Sequence, residues 1–387
     1  MARPKLLGRR GRTRMVTGCT QIIAAAFILL FAVAPRVTAA SNQQSIDVLI
    51  QRAMQDSHTP GLAFAAFDKG REVASGTYGK ANLETDTPVT RDSVFELASV
   101  TKPITATAVM LLVQDGRLAL SDPIAKYIED APPSWHAITI GHLLSHTSGL
   151  PEQAIVASNG VPLLDVSTSA QFNLIASQPL QFPPGTRAQY SDPGYFLLGM
   201  IIERVSGQTY RAFMQDRIFG PLGMTHTSIL DQTRILPHRV APYTIGKDGT
   251  LQRGRRDWQH ELPSFFGVWS TIGDMEMFIS ALSTDRLLRK PLREVMWTSA
   301  KLTDGESAMI RGRFPYGLGW LVLSINGHRA IAHDGFTGTF LLYFPDDNFG
   351  VVVLSNLDLA SGNPAPFLSF EIASRLRPDI VPPGFKP

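Results

Sequence analysis

WLVLSINGHRAIAHDGFTGTFLLYFPDDNFGVVVL, residues 320–354, decides the architecture. Trp320 to Ile325, Arg329 to His333, Thr339 to Phe344 and Val351 to Leu354 are short apolar runs separated only by short turns. Asn326-Gly327 supplies the two positive φ values that a type I′ hairpin needs, so the stretch reads as an antiparallel meander. Towards the other end, Gly61 to Phe67 (GLAFAAF) reads as a buried strand, Asp68 to Arg71 as its turn and Glu72 to Tyr78 as a returning strand. Helical patterns lie between, at Thr101 to Gln114, Ile140 to Leu144, Gly194 to Val205, Tyr210 to Ile218 and Asp274 to Leu282. The order strands, helices, strands predicts an α+β fold. One antiparallel sheet comes from the N- and C-terminal strands and is flanked by helices, with an all-helical region inserted. No internal repeat or low-complexity linker interrupts this layout.

Charge and composition narrow the function. The 387 residues carry 36 Lys+Arg against 33 Asp+Glu, a net charge of +3. Seven of those basic residues, and no acid, fall in residues 1–40, which leaves 29 basic against 33 acidic residues and a net −4 over 41–387. A body of that charge offers no basic footprint to nucleic-acid phosphates. With 44% hydrophobic and 18% charged residues the chain is globular rather than disordered. A single cysteine, Cys19, excludes an internal disulfide, and no Cys/His cluster has zinc spacing.

Arg9, Arg10, Arg12 and Arg14 precede an apolar stretch, Ile22 to Ala34, and the small residues Val37-Thr38-Ala39-Ala40 follow it. This is the order of a secretory signal peptide, with cleavage expected near Ala39 or Ala40. The apolar stretch is shorter than the ~20 residues a spanning helix needs. The expected product is therefore exported, periplasmic or secreted, without a stable membrane span. Cys19 precedes the apolar stretch, where a lipobox cysteine would follow it, and the Arg9-Arg10 pair lacks the hydrophobic residues expected in a twin-arginine signal.

Chemistry enters with Ser99-Val100-Thr101-Lys102, an S-x-x-K opening a helix whose apolar residues recur at Ile104, Ala108, Leu111 and Leu112 and which stops at Gly116. Serine and lysine three apart share a helix face. An amine held against a serine hydroxyl can take its proton, and the positive helix end favours charge developing on the oxygen. By itself the pattern also fits an N-capping serine beside a surface lysine. Two further segments change the balance: Gln189-Tyr190-Ser191-Asp192, on a loop before a helix, and His333-Asp334-Gly335, at the end of an inner strand. Separately, they could be a buried tyrosine and a strand-end histidine facing water.

In this order the three resemble the serine β-lactamase and penicillin-binding-protein family, in particular its class C β-lactamase-like branch of esterases, D-alanyl-D-alanine carboxypeptidases and D-aminopeptidases. Phe95 to Lys102, Gly116-Arg117-Leu118 to Ser121-Asp122-Pro123, Leu143 to Leu150, Pro184-Gly185-Thr186, Gly220 to Met224, Trp269-Ser270-Thr271 and Tyr316 to Trp320 extend the likeness over roughly residues 45 to 375. The resemblance implies one hydrolase domain over 41–387, after a signal peptide at 1–40. Its sheet part would be about 41–115 and 270–387, and its helical part about 116–269. It implies Ser99 as acylated nucleophile, Lys102 as proton acceptor or orienter, and Tyr190 as the residue that shares base duty and protonates the leaving group. It also implies an oxyanion hole from the backbone N–H groups of Ser99 and Phe336. Asp192, His333 and Gly335 would contact substrate. No cofactor or metal is called for. The expected ligand is a small-molecule or short-peptide acyl substrate, and oligomeric state is left open.

Asp192 departs from the family pattern, where Tyr-x-Asn is usual. Asparagine both accepts and donates, whereas an ionised aspartate only accepts. A carboxylate here favours the charged form of Lys102, moves base duty towards Tyr190 and is expected to disfavour β-lactams and peptide amides relative to esters. Phe265, Phe266 and Trp269 could form an acyl pocket or be core residues. A Ser-His-Asp hydrolase of the α/β type is excluded by the lack of G-x-S-x-G, although His146 lies between Ser145 and Ser148. His142 and His146 have the spacing of a helical metal pair, but no glutamate completes H-E-x-x-H. The alternative from another class is a non-catalytic or weakly acylating protein that binds penicillin or cell-wall peptides.

Overall fold

In the computed structural model, Gly61–Asp68 (β1) is the inner strand from which the sheet grows. The structure describes residues 41–152, 165–229, 231, 234–254 and 259–385, so the signal peptide expected at 1–40 lies outside the described residues. Six further strands join β1: Arg71–Asn82 (β2), Thr87–Pro88 (β3), Leu321–Ile325 (β4), His328–Gly335 (β5), Thr339–Phe344 (β6) and Phe349–Ser355 (β7). They pair antiparallel in the order β4-β5-β6-β7-β1-β2-β3, so the last strand of the meander hydrogen-bonds the first strand of the chain, with Phe64 opposite Val353. The predicted sheet from both chain ends is the sheet observed. Asn326 and Gly327, at φ 50° and 83°, form the tight turn between β4 and β5.

GLAFAAF is apolar throughout, without polar alternation, because both faces of β1 are covered. Ala63, Ala65 and Phe67 point into one core with Ile104 of helix α1 (Thr101–Gln114) and Phe278 and Ile279 of helix α4 (Ile272–Leu282). Leu62, Phe64 and Ala66 point into a second core with Ile46, Ile50 and, from helix α5 (Ala365–Leu376), Leu368 and Ile372. Helices therefore sandwich the sheet.

Helix α1 is buried from Thr101 through Leu112. A helix enclosed on all sides is set by packing and not by one amphipathic stripe. It packs beside helix α3 (Asp192–Ser206), whose N-terminus follows the Tyr190 loop. The insert also contains helix α2 (Ile140–Leu144). Unlike the all-helical insert expected, residues 116–269 also include strands of two or three residues, such as Ser228–Ile229, Tyr243–Ile245 and Leu251–Arg253. Segments this short have no room for the alternation that marks a strand. The helix predicted over Tyr210 to Ile218 is a single α segment, Tyr210–Met214, continued by a π turn at Gln215–Phe219. Among the described residues no helix is long and apolar enough to cross a membrane.

Candidate active site

Ser99 lies in a 3-10 turn, Ala98–Val100, that runs directly into α1, and it is half-buried, whereas Lys102 one turn on is fully buried. Lys102 Nζ donates to Ser99 Oγ at 3.1 Å and to the Phe265 carbonyl at 3.0 Å, and it lies 2.6 Å from Asp192 Oδ1. Two hydrogen bonds and one ion pair thus surround the amine. A buried lysine without such partners would carry a heavy desolvation cost. Lys102 is therefore fixed against Ser99 Oγ, with a carboxylate oxygen on its other side.

The opposite wall is pinned to the segment that carries Ser99. Thr337 Oγ1 donates to the Glu96 carbonyl at 2.7 Å and Thr339 Oγ1 to the Leu97 carbonyl at 2.9 Å, so the β5–β6 turn is fastened to the residues just before Ser99. A Cβ on Gly335 would sit 2.3 Å from the Leu97 carbonyl oxygen, so only glycine permits this approach. The arrangement brings the chain at Phe336 to the side of Ser99 where the oxyanion hole is expected. The Phe336 side chain itself is exposed.

Tyr190 packs its ring 4.8 Å from Lys102 Nζ. Its hydroxyl is buried without a hydrogen-bond partner in place. Burial above all, and then the Asp192 charge, raise the phenol well above its ordinary value, while the neighbouring Ser99 hydroxyl favours the ionised form. At neutral pH Tyr190 is a phenol.

His333 is buried, and both ring nitrogens are engaged. Nδ1 lies 2.7 Å from the Asp334 carbonyl, which only accepts, so Nδ1 carries the proton and Nε2 accepts from the Tyr316 hydroxyl at 3.1 Å. Burial lowers the imidazole to about 4, so it is neutral. His333 therefore stands behind Tyr190, ring to ring at 6.4 Å, and does not face water. Of the three candidate aromatics, Phe265 holds Lys102 through its carbonyl, Phe266 is partly exposed, and Trp269 is buried with Val94 beneath the Arg239 guanidinium. His142 and His146 each spend Nδ1 on a backbone amide, of Thr139 and of Ser191.

Three residues escaped the sequence reading. Glu152 Oε2 accepts the Asp192 N–H at 2.7 Å, which puts a second carboxylate behind the first. Arg311 reaches Asp334 Oδ2 at 3.0 Å with its guanidinium 5.7 Å from the Tyr190 ring. His146, considered only as a triad or metal residue, stacks on Tyr190 at 4.5 Å. Nothing local in the sequence links these to the site, although His146 belongs to the Leu143 to Leu150 segment already singled out. Ala98, His146 and Arg311 all have left-handed backbone, at φ 46°, 60° and 51°. Such conformations cost about 1 kcal/mol or more each, and they gather where a fold has to aim particular groups.

Glu152 yields a stability prediction. Burial, and then the Asp192 charge, push its carboxyl up to about 8. The folded state thus binds this proton more tightly than the unfolded chain does, so stability is full below about 4.5 and declines as pH rises through 8. Glu152→Gln keeps an acceptor for the Asp192 amide and removes the titration. Its melting temperature is expected to fall less than the wild type's between pH 5 and pH 9, by several degrees, about 4 kcal/mol. Parallel melting curves for the two proteins would contradict this.

Comparison with known proteins agrees with this geometry. The Beta-lactamase family model matches residues 46–372. Protein flp of Staphylococcus aureus (strain MW2) is 29% identical over 331 residues, which cover 82% of this chain and 64% of that protein, so the chain spans less than two thirds of that relative. Penicillin-binding protein 4* of Bacillus subtilis (strain 168) is 29% identical over 336 residues, covering 82% of this chain and 72% of the other. Among solved structures, the octameric penicillin-binding protein homologue from Pyrococcus abyssi aligns with a TM-score of 0.74 at 25% identity, covering 88% of this chain and 79% of that one. EstCE1, a hydrolase with promiscuous acyltransferase activity, aligns with a TM-score of 0.74 at 20% identity over 87% of this chain and 98% of its own, a likeness of fold alone. A family match over most of the chain, together with a buried S-x-x-K lysine held against its serine, leaves one conclusion: the chain belongs to the beta-lactamase family of serine hydrolases and penicillin-binding proteins.

Proposed function

We propose that the chain is an exported serine hydrolase that cleaves its substrate through an acyl-enzyme on Ser99, with esters favoured over β-lactams and peptide amides. The observation that carries this reading is the 3.1 Å contact between Lys102 Nζ and Ser99 Oγ, with the amine also donating to the Phe265 carbonyl and ion-paired with Asp192. Export rests on the N-terminal signal sequence.

The protonation states favour a relay. Lys102 is already engaged by Ser99, Phe265 and Asp192, and Tyr190 is held as a phenol, so the proton of Ser99 is best moved by exchange at the tyrosine. Ser99 Oγ attacks the acyl carbon while its proton passes to Tyr190 Oη, and the phenol's own proton passes to the leaving oxygen. The bond from acyl carbon to leaving group breaks, and an ester to Ser99 remains. Water then attacks that ester by the reverse transfers, returning Ser99 and Tyr190 to their starting forms. The Lys102 ammonium steadies Oγ throughout, and the backbone N–H groups of Ser99 and Phe336 hold the oxyanion. Donors of that kind are typically worth ~3 to 4 kcal/mol of transition-state stabilisation.

Asp192 carries the preference for esters. One of its oxygens is committed to Lys102, and a carboxylate has no proton to give a substrate amide oxygen. Asp192→Asn restores a donor and is expected to raise the ratio of β-lactam to ester turnover about tenfold, the worth of one good hydrogen bond. The assay is a panel of a short-chain p-nitrophenyl ester, a chromogenic β-lactam and a D-amino peptide. An unchanged ratio would remove the specificity argument. The names of relatives such as penicillin-binding protein 4* keep a second reading in play, in which Ser99 is acylated with little turnover. Labelling of Ser99 without hydrolysis of any panel substrate would favour that one.

A further inference from the structure

The loop that carries Tyr190 has no regular structure from Gln181 to Ser191, yet its tyrosine must be placed to within a fraction of an ångström to move a proton. The turn at residues 146–149 supports it from behind. The Gln181 N–H donates to the Gly149 carbonyl at 2.8 Å, the Gly185 N–H to the Thr147 carbonyl at 2.8 Å and the Gln189 N–H to the His146 carbonyl at 2.9 Å. The last rung is a side chain: Ser191 N–H donates to His146 Nδ1 at 3.1 Å.

Both amides that flank Tyr190 therefore end on one residue. The His146 ring also lies against the Tyr190 ring at 4.5 Å, and against Tyr316 and Tyr195 at 4.7 Å and 5.2 Å. Those neighbours are themselves fixed. Tyr316 donates to His333 at 3.1 Å and Tyr195 to the Leu144 carbonyl at 2.9 Å. His146 is buried, and its left-handed backbone is what turns carbonyl and ring towards the same loop.

We propose that His146 is a positioning residue for Tyr190: its carbonyl and Nδ1 hold the amides on either side of the tyrosine, and its ring sets the plane of the phenol. The proposal rests on the reading of Tyr190 as the proton relay. Because Nδ1 accepts, the imidazole is neutral with its proton on Nε2, and burial keeps it so by lowering it well below the ordinary histidine value. His146 does not act on Ser99 and takes no proton in the reaction.

The test is a double-mutant cycle on the full chain, with kcat and KM measured on a short-chain p-nitrophenyl ester and melting temperature recorded for each variant. His146→Phe keeps a ring and removes the acceptor. It is expected to lower kcat at least about 30-fold with KM changed less than about threefold. His146→Asn offers an Oδ1 in place of Nδ1 and tolerates left-handed backbone, and is expected to recover to within about fivefold of wild type. The His146→Phe/Tyr190→Phe double variant is expected to be no more than about twofold slower than Tyr190→Phe, because the histidine acts only through the tyrosine. Losses that multiply in the double variant overturn the proposal. So does a His146→Phe kcat within about threefold of wild type, or an Asn variant as slow as the Phe variant. If the Phe variant melts below the assay temperature, His146→Gln, whose acceptor lies one bond further out, takes its place with the same outcomes. A Tyr190→Phe enzyme with unchanged kcat would instead overturn the relay itself, and the role of His146 with it.

Discussion

Replacing Lys102 with methionine is expected to abolish ester turnover, by at least about a thousandfold, and to destabilise the fold at the same time. The two losses have different causes. Activity falls because Ser99 Oγ loses the only ammonium described against it, 3.1 Å away, just as negative charge develops there. Stability falls because Asp192, mostly buried, keeps its carboxylate without the cation 2.6 Å away that balances it. Removing one partner of a buried pair typically costs about 3 to 5 kcal/mol. The double variant Lys102→Met/Asp192→Asn separates the effects: it is expected to regain most of the lost stability while staying inactive. Thermal melts and ester kinetics on the two variants measure both. A Lys102→Met enzyme within about tenfold of wild-type kcat would mean that the lysine is structural.

Ser99→Ala is expected to have the largest effect on rate and almost none on stability. Turnover of the p-nitrophenyl ester should fall by about 10⁴ to 10⁶, leaving only what binding and the backbone donors can do for attack by water. The side chain is half-buried, so water can reach the Lys102 proton it leaves behind, and the melting temperature should move by less than about 1 kcal/mol equivalent. The contrast with Lys102→Met is informative because the two residues touch. In the proposed mechanism Ser99 carries the bond that forms, and Lys102 carries the charge that balances it. If Ser99→Ala kept hydrolysing the ester, a second nucleophile would be at work.

How far the sequence foretold the site depended on whether the signal was local. The strands at Gly61–Asp68 and Thr339–Phe344 were readable because burial on both faces makes an unbroken apolar run, and Asn326-Gly327 because few residues accept two positive φ values in succession. Ser99 and Lys102 were readable because one helical turn sets their spacing, and Asp192 because it lies two residues from Tyr190. Glu152 was not, since 40 residues separate it from the amide it holds and no periodicity relates positions that far apart. Arg311 reaches Asp334 across 23 residues and a hairpin. The Phe265 carbonyl that accepts a hydrogen bond from Lys102 is a backbone group and has no signature in residue type. His333 is buried, so it is not the water-facing strand end its position alone allows, and its Nε2 accepts from the Tyr316 hydroxyl across 17 residues. Contacts made by loops and backbone oxygens come from tertiary packing, and they make up the half of the site that only coordinates reveal.

The central claim is that Ser99 is the residue acylated. Incubating the full chain with a fluorophosphonate probe and mapping the adduct by peptide mass spectrometry tests it most directly. A single adduct is expected on the peptide containing Ser99, absent from the Ser99→Ala protein. An adduct on another residue, such as Ser145 or Ser148, or ester turnover that continues in Ser99→Ala with no adduct formed, would contradict it.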